Sequence, residues 1–93
     1  MSVTQIILSS EGLEKFKSER EQLERKVIPA VENRLRELIE DGFELGEYDY
    51  DDAKAELEFY ESRQVYLHAC IHGAKWNDEK KFYEINLTGG DKA

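Results

Sequence analysis

With 93 residues, 21 acidic against 13 basic side chains and a net charge of −8, the chain is sized for one small domain with a thin core, residues 1–93. The acidic balance excludes direct sequence-specific nucleic-acid binding and adsorption to an anionic membrane, both of which need Lys and Arg patches. The absence of any apolar run of about 18 residues, or of a basic-then-apolar N-terminus, predicts neither a spanning helix nor a signal peptide, and so a cytoplasmic protein.

Val3 to Leu8 is short and rich in β-branched residues, which predicts a strand. Ser9 then offers a hydroxyl to the orphan amides of a first helical turn, and Glu11 suits the positive end of its dipole. A helix is expected over residues 9–41. Its apolar stripe runs Leu13, Phe16, Leu23, Val27, Val31, Leu35, Leu38 and Ile39, with a drift in phase. Its other face carries seven acidic and seven basic residues between Glu11 and Glu37, a solvated, ion-paired surface. Pro29 removes an amide donor and crowds the carbonyl four residues back, so a bend is expected near Val27 and Ile28.

Gly42 closes the first helix, and residues 42–47 form a turn rich in charge. Between Glu40 and Glu56 stand eight acidic residues and one basic residue, Lys54, so that seven of the eight net negative units fall in 17 residues. A second helix, 48–72, shows Tyr50, Ala53, Leu57, Tyr60, Gln64, Leu67 and Ile71 at spacings of three and four, a coiled-coil seam with one polar member. Tyr48, Tyr50, Phe59, Tyr60 and Tyr66 read as hairpin packing, because the basic groove that accompanies stacked bases is missing.

Near the end of that helix, His68, Cys70 and His72 resemble a metal cluster, and the histidines share a face at i and i+4, but no further ligand stands at matching spacing. Cys70 reads as a small apolar filler near the seam, and as the sole cysteine it excludes an internal disulfide. In the C-terminal extension, residues 74–93, an alternating segment at 81–88 predicts a strand with Tyr83, Ile85 and Leu87 on one side. It is expected to pair with the N-terminal strand, with Trp76 and Phe82 covering the helix ends, and residues 89–93 are expected to fray. The fold class is therefore mainly all-α: a long antiparallel helical hairpin or coiled coil, capped by two short terminal strands.

The residues carry a family likeness. The segment Ile7-Leu8-Ser9-Ser10-Glu11-Gly12-Leu13-Glu14-Lys15-Phe16 resembles the opening of the N-terminal coiled-coil domain of the Gre transcript-cleavage factors, an apolar residue followed by Leu-Thr-x-Glu-Gly-x-x-Lys-Leu. Ile28-Pro29-Ala30-Val31 resembles that family's Arg-Pro-x-Val/Ile segment, and Gly42, the acidic turn, Tyr50 and Ala53-Lys54 resemble its Gly-Asp-Leu-Ser-Glu-Asn-Ala-Glu-Tyr-x-x-Ala-Lys run. Aligned without a gap from Gly42, the two acidic residues the family uses fall on Phe43 and Gly46. Shifted by one position, Glu44-Leu45-Gly46-Glu47 reproduces the pair of carboxylates three apart.

The resemblance implies a factor that binds bacterial RNA polymerase through its secondary channel and modulates elongation or transcript cleavage. Glu44 and Glu47 would assist the polymerase's own active site, with no cofactor of the chain's own. Asp41, Glu44, Glu47 and Asp49 would contact an Mg²⁺ ion shared with the polymerase, since that hard ion takes one or two carboxylates and keeps several waters. The chain would then not be an enzyme by itself. The family's C-terminal globular domain, of about 75 residues, would not fit in the residues beyond the second helix. Two alternatives stand beside this reading: a Gre-like inhibitor that obstructs the polymerase without cleavage, and a coiled-coil adaptor or homodimer unrelated to polymerase, for which Ile39, Phe59 and Val65 supply apolar surface off the seam.

Overall fold

The computed structural model describes residues 2–89, and side chains from Gln5 to Leu87. In chain order it contains β1 (Ser2–Leu8), α1 (Ser10–Gln22), a π-helical turn (Leu23–Val27), α2 (Ile28–Glu40), α3 (Tyr48–Gly73), β2 (Lys75–Asn77) and β3 (Phe82–Gly89). The fold class is mainly α, as the periodicity implies. The chain forms two compact units, one made of the residues up to Arg20 with those from Tyr66 onward, the other of Glu21–Val65.

In the first unit an antiparallel sheet of order β1-β3-β2 closes the chain ends. Two terminal strands were expected, and the third, β2, comes from the segment around Trp76. Two strands alone are marginal, whereas a third gives β3 a partner on each edge. The β2–β3 hairpin is set by Asn77, whose side-chain oxygen accepts from the Lys80 amide (2.9 Å) while its carbonyl accepts from the Lys81 amide (2.7 Å).

Register separates the two aromatic residues expected over the helix ends. Trp76 lies opposite Tyr83 and Asn77 opposite Phe82, so Phe82 is on the sheet face away from Tyr83 and the buried Ile85. Trp76 shares the face of Tyr83 and Ile85, is 45% exposed and meets the Tyr83 ring edge-on at 5.0 Å as a cross-strand pair. Among the described residues of this unit, the buried side chains are Leu13, Leu67, Cys70 and Ile85. Of the residues expected to fray, Gly89 ends β3 opposite Ser2, and the others lie outside the described residues.

Ser9 caps α1: its hydroxyl accepts from the Gly12 amide at 3.0 Å. The glycine there has a steric reason, because a Cβ on Gly12 would stand 3.2 Å from Leu8 Cδ2 and 3.4 Å from the capping oxygen. The Glu-Gly pair thus admits the end of β1 against the first turn of the helix.

In the second unit the bend expected at Pro29 takes a specific form. Helical conformation continues through the proline, and the turn ahead of it widens to π, with the Ile28 amide donating to the Leu23 carbonyl five residues back. Such a bulge absorbs the donor that proline lacks and adds one residue to the turn. It also accounts for the phase drift. Leu23 and Ile28 are both buried, although residues five apart stand about 140° apart on a uniform α-helix. The buried set of this unit is completed by Val31 and Ala53.

The helices of this unit run antiparallel, as their cross-links show. The Arg34 guanidinium bridges Asp52 (3.2 Å) and Glu56 (3.3 Å), while the Gln64 amide nitrogen donates to Glu24 (2.9 Å), so partners later on α2 pair with earlier ones on α3. The polar seam member is thereby satisfied. The ion pairs are half exposed and contribute about 1 kcal/mol or less each.

α2 ends in a Schellman arrangement: the Gly42 amide donates to the Ile39 carbonyl and the Phe43 amide to that of Leu38, both at 3.0 Å. Gly42 takes φ +95°, and nothing lies within 4 Å of where its Cβ would be, so the cost of a side chain there is purely conformational. Gly42→Ala should therefore lower stability by about 1 kcal/mol, read as a shift of the urea unfolding midpoint with an unchanged slope.

Candidate functional site

The acidic turn is a short, hydrogen-bonded structure. Glu44 to Glu47 forms a β-turn closed by the Glu47 amide on the Glu44 carbonyl (3.0 Å), with Gly46 at φ +97° in the third position, where only a left-handed residue fits. Glu47 then precedes α3 and accepts the Asp51 amide on its carbonyl (2.9 Å).

Two carboxylates, one in the turn and one in the first turn of α3, are used to hold it. Glu47 Oε1 accepts from the Glu44 amide at 2.8 Å, and Asp51 Oδ1 from the Gly46 amide at 3.0 Å. Both are charge-assisted bonds to backbone donors next to a helix N-terminus, where a negative charge is favoured. Two more, Asp52 and Glu56, share Arg34. Among the described residues, the side chains of Glu40, Asp41, Glu44 and Asp49 have no such partner.

Glu44 and Glu47, expected as an equivalent pair, are therefore unequal. Glu47 is a structural acceptor with one oxygen committed, whereas the Glu44 carboxylate is exposed and uncommitted. Asp41, at the end of α2, and Asp49, in the first turn of α3, flank them without joining them. No group of three or more His, Cys, Asp or Glu side chains that could hold a metal ion exists among the described residues. The four acidic residues expected to contact Mg²⁺ thus form no self-sufficient site.

Beside these carboxylates stand apolar groups. Leu45 is 78% exposed and Tyr48 81% exposed. Tyr48 and Phe59, the latter 66% exposed, are not the hairpin packing expected of them. Tyr50 and Tyr60 are half-buried, and Tyr66 meets the Phe16 ring at 6.4 Å. What sequence reasoning missed is the partition of the charge. Arg34 is the basic residue that neutralises the far end of the acidic run, and the only available signal was its position four residues before Leu38 on the charged edge of the stripe.

His68, Cys70 and His72 do not converge. Cys70 is fully buried while both histidines are exposed, with their ring centroids 4.1 Å apart. No described helix is long and apolar enough to cross a membrane.

No curated protein and no solved structure matches this sequence. A family model described as the N-terminal domain of transcription elongation factors, that of the Gre proteins, matches residues 6–75. That span takes in the capped start of α1, the π turn ahead of Pro29, the acidic turn and the whole of α3. The chain therefore belongs to the Gre transcription elongation factor family, in its N-terminal domain.

Proposed function

We propose that this chain binds bacterial RNA polymerase, places the turn 42–47 in the secondary channel and modulates elongation there. The observation that carries the reading is the uncommitted Glu44 carboxylate on a turn held by its own backbone bonds, in a chain of this family. A rigid turn presents a charge without having to order it on binding. The exposed Leu45 and Tyr48 supply apolar contact area near it.

Within this proposal Glu44 supplies the carboxylate that meets the polymerase's active centre, and Glu47 fixes the turn behind it. An Mg²⁺ ion in the complex would draw one ligand from Glu44 and the rest from the polymerase and water, in keeping with that ion's habits. A second reading, that the turn obstructs the channel without promoting cleavage, is favoured by the commitment of Glu47 Oε1 to the backbone.

Stalled, backtracked elongation complexes test both. Shortened transcripts on addition of the chain mean cleavage, and slowed extension without shortening means obstruction. If the chain does neither, and polymerase subunits are not retained on the immobilised chain, the proposal fails.

A further inference from the structure

The geometry points to a metal site outside the acidic turn: His68 and His72 form a two-imidazole chelate for a late first-row divalent ion of the Cu²⁺, Ni²⁺ and Zn²⁺ class. Both lie on α3 in the first unit, at i and i+4, about 40° apart around the helix. Their ring centroids are 4.1 Å apart with planes inclined by 36°. One ion bound at about 2.0–2.1 Å to each ring needs the two nitrogens roughly 3–3.5 Å apart. The centroid separation puts both rings within reach of one ion, and turning each exposed ring about its side-chain torsions is what aims an in-plane nitrogen lone pair at it.

Three further observations support the chelate. Both imidazoles are exposed, so an ion reaches them without opening the fold. Among the described residues neither ring has a hydrogen-bond or ionic partner, so its nitrogens are not already used. The helix end that carries them is held. The Ala74 amide donates to the Ile71 carbonyl, and Gly73, where a Cβ would stand 3.8 Å from Ile85 Cγ2, leads through Ala74 into β2. Cys70 takes no part, being about 200° around the helix from each histidine and fully buried.

Imidazole nitrogen selects copper, nickel and zinc, whereas Mg²⁺ and Ca²⁺ prefer the oxygen of carboxylates and water. With two protein ligands the remaining positions belong to water, and the affinity rests on the two rings acting together. His68 and His72 are the only histidines in the chain, so imidazole proton resonances report on this site alone.

The test is a Zn²⁺ titration followed at those resonances, with Mg²⁺ as the control ion. Both histidines should respond along one isotherm at one equivalent of Zn²⁺, and not to Mg²⁺. His68→Asn or His72→Asn should weaken the response of the remaining ring by at least about tenfold, with Trp76 emission unchanged to show that the variant folds. Two independent isotherms, undiminished affinity in either single variant, or an equal response to Mg²⁺ would overturn the assignment. None of these readouts involves polymerase, so this inference stands or falls apart from the proposed function.

Discussion

Glu44→Gln is expected to reduce the effect of the chain on backtracked elongation complexes by about a hundredfold, the usual loss when a preorganised electrostatic group is removed, while leaving its unfolding curve in place. The Glu44 side chain is exposed and, among the described residues, makes no hydrogen bond or ion pair, so neutralising it costs the fold little. Glu47 should behave in the opposite way. Glutamine at this position keeps an oxygen that can accept the Glu44 amide, so Glu47→Gln should retain the turn and most of the activity. Glu47→Ala removes the 2.8 Å bond and should cost about 1 kcal/mol. It should also lower activity indirectly, by releasing the backbone that carries Glu44. Urea unfolding and the cleavage or extension assay, run on the same three variants, separate the two roles. If Glu47→Gln proves as inactive as Glu44→Gln at unchanged stability, the two carboxylates act as an equal pair, and the division of labour drawn from the turn is wrong.

Much of this molecule was legible in its sequence for identifiable reasons. Ser9 announces the first helix because a hydroxyl ahead of an apolar period has few other uses, and Gly42 ends it because a left-handed residue is required there. The α3 seam was readable because Ala53 and Leu67 repeat at coiled-coil spacing and are both fully buried. Two features were not readable. The π turn is a response of the backbone to Pro29, and it shifts the buried position from Val27, which the regular spacing favours, to Ile28. β2 has three residues, too few for any alternation to register, and its existence depends on β3 being present to pair with it. The acidic turn was legible in its charge but not in its organisation. Glu47 and Asp51 turn back onto amides, and Asp52 and Glu56 fold toward Arg34, through contacts that depend on the turn geometry and on the second helix lying alongside.

Leu67→Ala is expected to be the most damaging single truncation, costing about 2–5 kcal/mol, against a total stability of roughly 5–14 kcal/mol for a chain of this length. Leu67 is fully buried in the first unit, as are Cys70 and Ile85, and none of its methyl groups faces water. Removing three carbons there forfeits their transfer free energy and leaves a void that a helix flanked by a sheet cannot collapse to fill. Val65, two residues earlier on the same helix, is 68% exposed. Val65→Ala should change stability by no more than about 0.5 kcal/mol. The comparison holds helix propensity nearly constant in kind, since both substitutions place alanine in the interior of α3. Trp76, the sole tryptophan, sits on β2 against Tyr83 and reports the first unit by its emission, while far-UV ellipticity reports the helices. The Leu67→Ala chain should lose its Trp76 signal at a much lower urea concentration than the wild type, and the Val65→Ala chain should not. Equal losses from the two substitutions would mean that the buried side of α3 has been placed on the wrong face, and with it the exposed position of His68 and His72.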